Sequence, residues 1–308
     1  MGPEHIANRL AGLTQEQRKL LERLLSGKPV ASAGTTAMFE EDALQAFRSP
    51  ELRTKEGTRK FYNTINERLD ETIYGACSAF LNYGYLENDS PQMSQIELQN
   101  HILNRNSVKL VLELIGDCDL NGRDLLDVGC GRGGTLSVIN RFFDAALKVG
   151  VDLSSAAIAY CQRTHRFLNT YFCEGDAEHL PFRDGAFDVV LNVESSHSYP
   201  DVGFFYAEVW RVLLPGGYFL YTDVFPPNAF ATHEDELQRI GFTIEQQRDI
   251  TRNVLDSCRQ NTQNRSLVFG DAQQPSVIND FLSAPGSVVF DAMESGEAVY
   301  RILKIKRL

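Results

Sequence analysis

The residues best suited to chemistry cluster around the run Asp127-Val128-Gly129-Cys130-Gly131-Arg132-Gly133-Gly134. The run follows a short apolar segment and opens a helical pattern over Thr135–Phe143. Glycines at this spacing let the backbone turn sharply and approach a ligand closely, because a Cβ would collide. Downstream, Gly150-Val151-Asp152-Leu153-Ser154 ends an apolar run with a carboxylate able to accept two hydroxyl hydrogen bonds. A second run ends at Gly175-Asp176-Ala177-Glu178-His179. Further on, Glu194-Ser195-Ser196-His197-Ser198-Tyr199-Pro200 contains a histidine, whose near-neutral pKa suits it to take a proton from an alcohol. The other histidines, His5, His101, His165, His179 and His233, lack such a context and read as solvent-facing or structural. Thr232-His233-Glu234-Asp235-Glu236 is not the H-E-x-x-H metal pattern, and the six cysteines are dispersed with no C-x-x-C pair. No metal is expected, and the cysteines read as reduced, packed thiols.

These residues need elements to hold them. From Asp124 short apolar runs alternate with helical stretches, the pattern of a parallel α/β sheet. The runs are Leu125–Val128, Leu147–Val151, Thr170–Cys173, Phe187–Val193, Gly217–Val224, Phe242–Ile250 and Ala298–Ile305. Seven strands with intervening helices predict a doubly wound, mostly parallel sheet. In such a sheet ligands sit beyond the carboxyl ends of the strands at the topological switch point, where the glycine turn would lie. The stretch from about Thr251 to Gly296 is long and mixed in polarity, which reads as a lid or substrate wall. Upstream, Ile6–Ser26 reads as short helices, with capping-box spacing at Thr14 and Gln17 and a stop at Gly27 and Pro29. Val30–Gly57 reads as a linker, and helices are expected at Arg59–Tyr74 and Ser94–Cys118. The division is therefore residues 1–57 as helical segment and linker, 58–118 as a helical lid or cap, and 119–308 as core, with the lid insertion at about 251–296.

The spacing Gly129-x-Gly131-x-Gly133, with Asp127 inside the strand end, differs from the dinucleotide pattern and disfavours a dehydrogenase. Together with the runs ending at Asp152 and Asp176, the strand Phe187–Asn192 and the turn Leu214-Pro215-Gly216-Gly217-Tyr218, it resembles the class I S-adenosylmethionine-dependent methyltransferases across roughly Asp124 to Leu308. The resemblance implies a Rossmann-like core. It implies cofactor contacts at Asp127, Gly129, Gly131, Asp152, Leu153, Asp176, Ala177 and Asn192: the Asp152 carboxylate on the ribose, Asp176 on the adenine amino group with the Ala177 N–H facing the ring, and Asn192 beneath the methionine portion. S-adenosyl-L-homocysteine would be the product. The residues after the fourth strand would face the methyl group. That makes His197 the candidate general base, with Glu194 as its orienting partner or as acceptor for the cofactor's ammonium.

The segment Phe80-Leu81-Asn82-Tyr83-Gly84-Tyr85 sets aromatics beside a glycine, and Tyr83 is a candidate to cover the sulfonium, or simply to pack in the core. With Val193–Pro200 and Asp249-Ile250-Thr251-Arg252-Asn253-Val254, it resembles O-methyltransferases of polyketide synthases and of phthiotriol-type lipid biosynthesis. Tyr199, Asp249 and Asn253 become candidates for the substrate pocket, although Asp249 equally suits a helix cap. Leu13–Leu21 resembles interdomain segments of modular synthases, which would bring the substrate as a carrier-protein thioester. The expected reaction is O-methylation of a polyketide-like, possibly carrier-bound 3-hydroxyacyl chain. The alternatives are C-methylation, a free lipid or sterol-like substrate, and, from another class, a non-catalytic cofactor-binding module. A net charge of −11 argues against a broad nucleic-acid or anionic-membrane footprint. No apolar stretch reaches the roughly 18 residues of a membrane span, and the first ten residues carry Glu4, His5, Asn8 and Arg9 rather than a signal-peptide block. A cytoplasmic enzyme is the expectation.

Overall fold

The chain was described as a computed structural model covering residues 54–87, 103–269 and 281–308. The helices expected before residue 54, the first part of the Ser94–Cys118 helix, and residues 270–280 of the insertion lie outside these. The strands are β1 (Asp124–Val128), β2 (Leu147–Asp152), β3 (Thr170–Glu174), β4 (Phe187–Val193), β5 (Leu213–Phe225), β6 (Phe242–Asp249) and β7 (Val299–Arg307). They form one sheet in the order β3-β2-β1-β4-β5-β7-β6. Pairing is parallel from β3 to β5, whereas β7 runs antiparallel to both β5 and β6. The expected mostly parallel, doubly wound sheet is the observed one.

The strands read as continuous apolar runs because both faces are covered. Successive side chains alternate between faces: Val189 and Leu191 of β4 join one core cluster, and Val190 between them joins the other. Fully burying each such side chain contributes roughly 1.5–3 kcal/mol. The helices α1 (Lys55–Asp70), α2 (Ile73–Cys77), α3 (Arg105–Ile115), α4 (Gly134–Phe142), α5 (Ser155–Thr164), α6 (Val202–Val212), α7 (Pro227–Ile240), α8 (Thr251–Phe269) and α9 (Val288–Ser295) cover these faces and the carboxyl edge of the sheet. Their starts are locally encoded: Ser154 caps α5 by accepting from Ala157 N at 3.1 Å, and Asp201 caps α6 by accepting from Phe204 N at 3.1 Å.

Two local expectations change. The single helix expected at Arg59–Tyr74 is two, α1 and α2. Thr72 ends the first by donating to Leu69 O at 2.8 Å and caps the second by accepting from Gly75 N at 2.9 Å. A Cβ at Gly75 would lie 1.9 Å from Leu69 O, so only glycine lets α2 fold back there. The turn Leu214–Gly217 does not precede β5 but interrupts it. Pairing jumps from Phe187↔Leu213 to Val189↔Tyr218, and Gly216 takes φ +80° in the bulge. The last two strands form an antiparallel pair with β7 between β5 and β6, a placement that the sequence pattern leaves open.

Candidate active site

The chain runs from β1 out to β3 and returns to β4 beside β1, so the switch point lies between the carboxyl ends of β1 and β4. A cavity of about 470 Å³ opens there. Its near wall is the glycine turn. Gly129 and Gly131 take φ +71° and +50°, where side chains are rarely tolerated, and both line the cavity. The turn is pinned from two sides. Gly129 N and Cys130 N donate to Val151 O at 2.8 and 3.1 Å, and Gly131 N donates to Asp152 Oδ2 at 2.8 Å. From beneath, a Cβ on Gly129 would lie 2.2 Å from Ser195 Oγ and 2.8 Å from the Tyr199 hydroxyl.

Three carboxylates mark the ends of strands. Asp152 Oδ1 also accepts from Ser154 N at 2.8 Å; burial raises its pKa, and the backbone N–H donors oppose that rise. Asp176 Oδ2 receives Lys55 Nζ at 2.6 Å, and the same ammonium reaches Glu178 Oε2 at 2.8 Å. Burial opposes the Asp176 charge, but Lys55 and the Glu178 N–H outweigh it and hold the carboxyl below its ordinary range. Asp127 differs from both. It is 1% exposed and its Oδ2 meets no donor among the described residues. Burial, with Asp152 nearby, lifts its pKa well above the carboxylate range.

On the β4 and β5 side, His197 sits in the short 3₁₀ turn Ser196–Ser198. Its Nδ1 lies 2.7 Å from Asp223 Oδ1, and its backbone N donates to Asp223 Oδ2 at 3.1 Å. Asp223 is wholly buried near the end of β5, and Ser196 Oγ donates to its Oδ2 at 2.6 Å. Burial alone would depress the His197 pKa; the adjoining Asp223 charge and hydrogen bond reverse this and raise it. Glu194 takes φ +52°, unusual for a residue with a side chain. Its Oε1 accepts from Tyr83 N at 2.9 Å and from the Tyr300 hydroxyl at 2.5 Å. Burial pushes the carboxyl up to about 8 despite those donors. The α1 helix closes the cavity from outside: Tyr62 and Ser198 share a hydroxyl contact of 2.8 Å, and Asn63 Oδ1 accepts from Ser154 Oγ at 2.8 Å.

These residues fit S-adenosylmethionine on two counts. The turn leaves a cradle that side chains would fill, and two carboxylates at successive strand ends face the same cavity as a histidine. A methyltransferase-domain family model matches residues 126–221. A phthiotriol/phenolphthiotriol dimycocerosates methyltransferase of Mycobacterium tuberculosis is 39% identical over 228 residues, 72% of this chain and 83% of that one. The chain belongs to the class I S-adenosylmethionine-dependent methyltransferases. This methyltransferase is also 38% identical to a fatty-acid O-methyltransferase of Mycolicibacterium smegmatis over 225 residues, 72% of this chain and 81% of that one. Among solved structures it superposes on the [4+2]-cyclase SpnF with a TM-score of 0.62 at 22% identity, covering 82% of this chain and 96% of that one. That likeness concerns the fold alone.

Of the expected site residues, Tyr83, Gly129, Gly131, Asp152, Leu153, Asp176, Ala177, Glu194, His197 and Tyr199 line this cavity. Asp127 and Asn192 do not; they lie beneath the turn. Asn192 Nδ2 reaches Val128 O at 2.9 Å and Ser195 Oγ at 2.7 Å. The Tyr199 hydroxyl also turns toward this floor, 2.8 Å from Ser195 Oγ. Two substrate candidates lie away from the cavity wall. Asp249 is exposed and caps α8, accepting from Thr251 N at 2.9 Å. Asn253 ties α8 to Leu86 O at 3.0 Å. Neither lines the cavity: Asp249 ends β6, which β7 separates from β5, and Asn253 lies in the first turn of α8. The carboxylate that meets His197 Nδ1 is that of Asp223 rather than Glu194. Asp223 was missed; the signal that could have found it is an acid inside the largely apolar run Tyr221–Phe225 near a strand end. Lys55 lay in a segment read as linker and gave no signal.

Proposed function

We propose that this methyltransferase transfers the methyl group of S-adenosylmethionine to a hydroxyl oxygen of a polyketide-like or lipid acyl substrate, with His197 as general base. The observation that carries the reading is the 2.7 Å contact between His197 Nδ1 and the buried Asp223 carboxylate at the cavity wall. A carboxylate only accepts, which assigns the Nδ1 proton and puts the proton-accepting lone pair on Nε2. That tautomer can take the proton of an alcohol as its oxygen attacks, and Asp223 then stabilises the imidazolium. Gly129, Gly131, Asp152, Leu153, Asp176, Ala177 and Tyr83 are the residues that would hold the cofactor, with Asp127 and Asn192 supporting the turn from below. Bound there, the cofactor supplies a sulfonium methyl. The protein's part is to align the acceptor, exclude water with α1 and remove the acceptor's proton.

Methylation of a carboxyl group is a second reading, favoured by the name of the fatty-acid relative. A carboxylate needs no base but does need a cation. Among the described residues of the cavity wall, Lys55 is paired with Asp176 and Glu178, and Arg132 with Asp70 and the carbonyls of Asn66 and Gly75. A carboxylate beside His197 would also lie close to the buried Asp223 carboxylate. That charge, and the pairing of both cations, support the hydroxyl acceptor. The test is a matched panel: 3-hydroxyacyl esters and 3-hydroxyacyl carrier-protein thioesters, whose carboxyl is blocked, against 3-deoxy free acids. Turnover of the hydroxyl-bearing compounds is expected, and the preferred arm tells whether a carrier delivers them. Turnover confined to the deoxy acids would transfer the assignment to carboxyl methylation.

A further inference from the structure

The glycine turn carries a thiol that its ligand-binding geometry does not use. Cys130 sits between Gly129 and Gly131, lines the cavity and is 6% exposed. Behind it, Cys161 projects from the last turn of α5 and is wholly buried. Both thiols approach one acceptor, the carbonyl oxygen of Gly131, at 3.9 Å for Cys130 and 3.3 Å for Cys161, which brings the two sulfurs to the same side of the turn. His165, at the C-cap of α5, completes the cluster. Its Nε2 lies 2.8 Å from Arg132 O, a group that can only accept, so Nε2 carries the proton and the second ring nitrogen is the basic one. The imidazole favours the Cys161 thiolate.

We propose that Cys130 and Cys161 form an oxidation-sensitive dithiol, and that its closure to a disulfide by hydrogen peroxide distorts the glycine turn and expels S-adenosylmethionine. The environment favours the thiolate where the chemistry needs it. The neighbouring Cys130 thiol, opposed by burial and aided by His165, holds the Cys161 thiol below its ordinary pKa. In the first step the Cys161 thiolate attacks one peroxide oxygen and the O–O bond breaks. The departing hydroxide takes the proton released by Cys161 and leaves as water. In the second step the Cys130 sulfur attacks the sulfenic acid, the S–S bond forms, the S–O bond breaks, and hydroxide leaves as water with the Cys130 proton. Two thiols lose two electrons and one peroxide becomes two waters. The peroxide enters by the cavity past Cys130, so bound cofactor and oxidation exclude each other.

The inference rests on the reading that the turn holds the cofactor, and the reduced protein tests that separately: tight S-adenosylmethionine binding under reductant must be seen first. Calorimetry on the peroxide-treated protein is then expected to show a cofactor Kd weakened at least tenfold and restored by dithiothreitol, within the range typical of coupling between two sites. Peptide mapping under non-reducing conditions should recover the Cys130–Cys161 cross-link, and saturating cofactor should suppress it. Cys161→Ser, or Cys161→Ala should the serine variant fold poorly, should keep its affinity after peroxide. A mapped product lacking this cross-link, a cross-linked protein with unchanged Kd, or a Cys161 variant that loses affinity like the wild type would each overturn the proposal.

Discussion

Replacing Asp223 with asparagine removes one charge from the base while keeping its shape. In the wild type the carboxylate accepts from His197 Nδ1 at 2.7 Å and from the His197 backbone N at 3.1 Å. Hydrogen bonds to a charged group contribute about 1.5–3 kcal/mol, so losing one as the imidazolium forms slows transfer by roughly 10- to 150-fold, at 1.36 kcal/mol per decade. An amide NH₂ facing Nδ1 would also favour the wrong tautomer, with the proton on Nε2. In serine hydrolases the corresponding acid-to-amide change costs about 10⁴ in kcat. The combined expectation for Asp223→Asn is a kcat lowered by about 10²–10⁴, with the cofactor Kd within about threefold of wild type because Asp223 lines none of the cradle. The raised His197 pKa predicts that wild-type kcat climbs with pH through a value above 6.5, and the variant should lose that inflection. Single-turnover kinetics across pH 6–9, with thermal unfolding as a control for folding, measure this. A variant that folds, turns over near the wild-type rate and keeps the inflection would refute the role of the pair.

Other perturbations separate binding from chemistry. His197→Ala should lower the chemical rate by roughly 10²–10⁴-fold with little change in cofactor affinity by calorimetry. Asp152→Ala should weaken cofactor binding first, because its carboxylate both faces the cavity and holds Gly131 N at 2.8 Å. Equal affinity would remove it from the cofactor site. Gly129→Ala should lower stability by about 1–3 kcal/mol and abolish cofactor binding, since a side chain at φ +71° would strike Ser195 Oγ at 2.2 Å; denaturant titration and calorimetry report the two effects. Glu194 holds a proton up to about pH 8 in the folded chain but would lose it near 4.5 when unfolded. Its contribution to stability therefore falls as pH rises between those values, by about 2 kcal/mol from pH 6 to 7.5 at 1.36 kcal/mol per unit. Glu194→Gln should flatten that slope in urea titrations of the cofactor-free protein, and an unchanged slope would count against it.

All seven strands and the glycine turn were legible because each rests on local rules. Buried strands show apolar runs, and a tight turn beside a ligand needs glycine. Asp152, Asp176 and His197 followed because strand ends at a switch point share one edge. What was not legible is what depends on the order of strands in space. Asp249 ends, and Asn253 follows, a strand that sequence order places next to β5, yet β7 inserts between the two strands, and their side chains cap and tie α8 instead. Asp223 was missed because one acid in an apolar strand announces a buried partner without naming it. The pairing of Glu194 with Tyr83 and Tyr300 joins residues 111 and 106 positions apart, which no local pattern encodes. The Lys55 contact with Asp176 is longer still, across 121 positions. The interruption between α1 and α2 was encoded at Thr72 and Gly75, but its cause is the closeness of Gly75 to Leu69 O, a packing fact.

The central claim is that a hydroxyl oxygen, deprotonated by His197, receives the methyl group. It is tested most directly by turning over a 3-hydroxyacyl substrate with S-adenosylmethionine carrying a ¹³C-labelled methyl and reading the carbon spectrum of the product. The account predicts a single methyl ether signal on the hydroxyl-bearing carbon, absent with His197→Ala over the same time. Label in a methyl ester, or bonded to carbon, would contradict it.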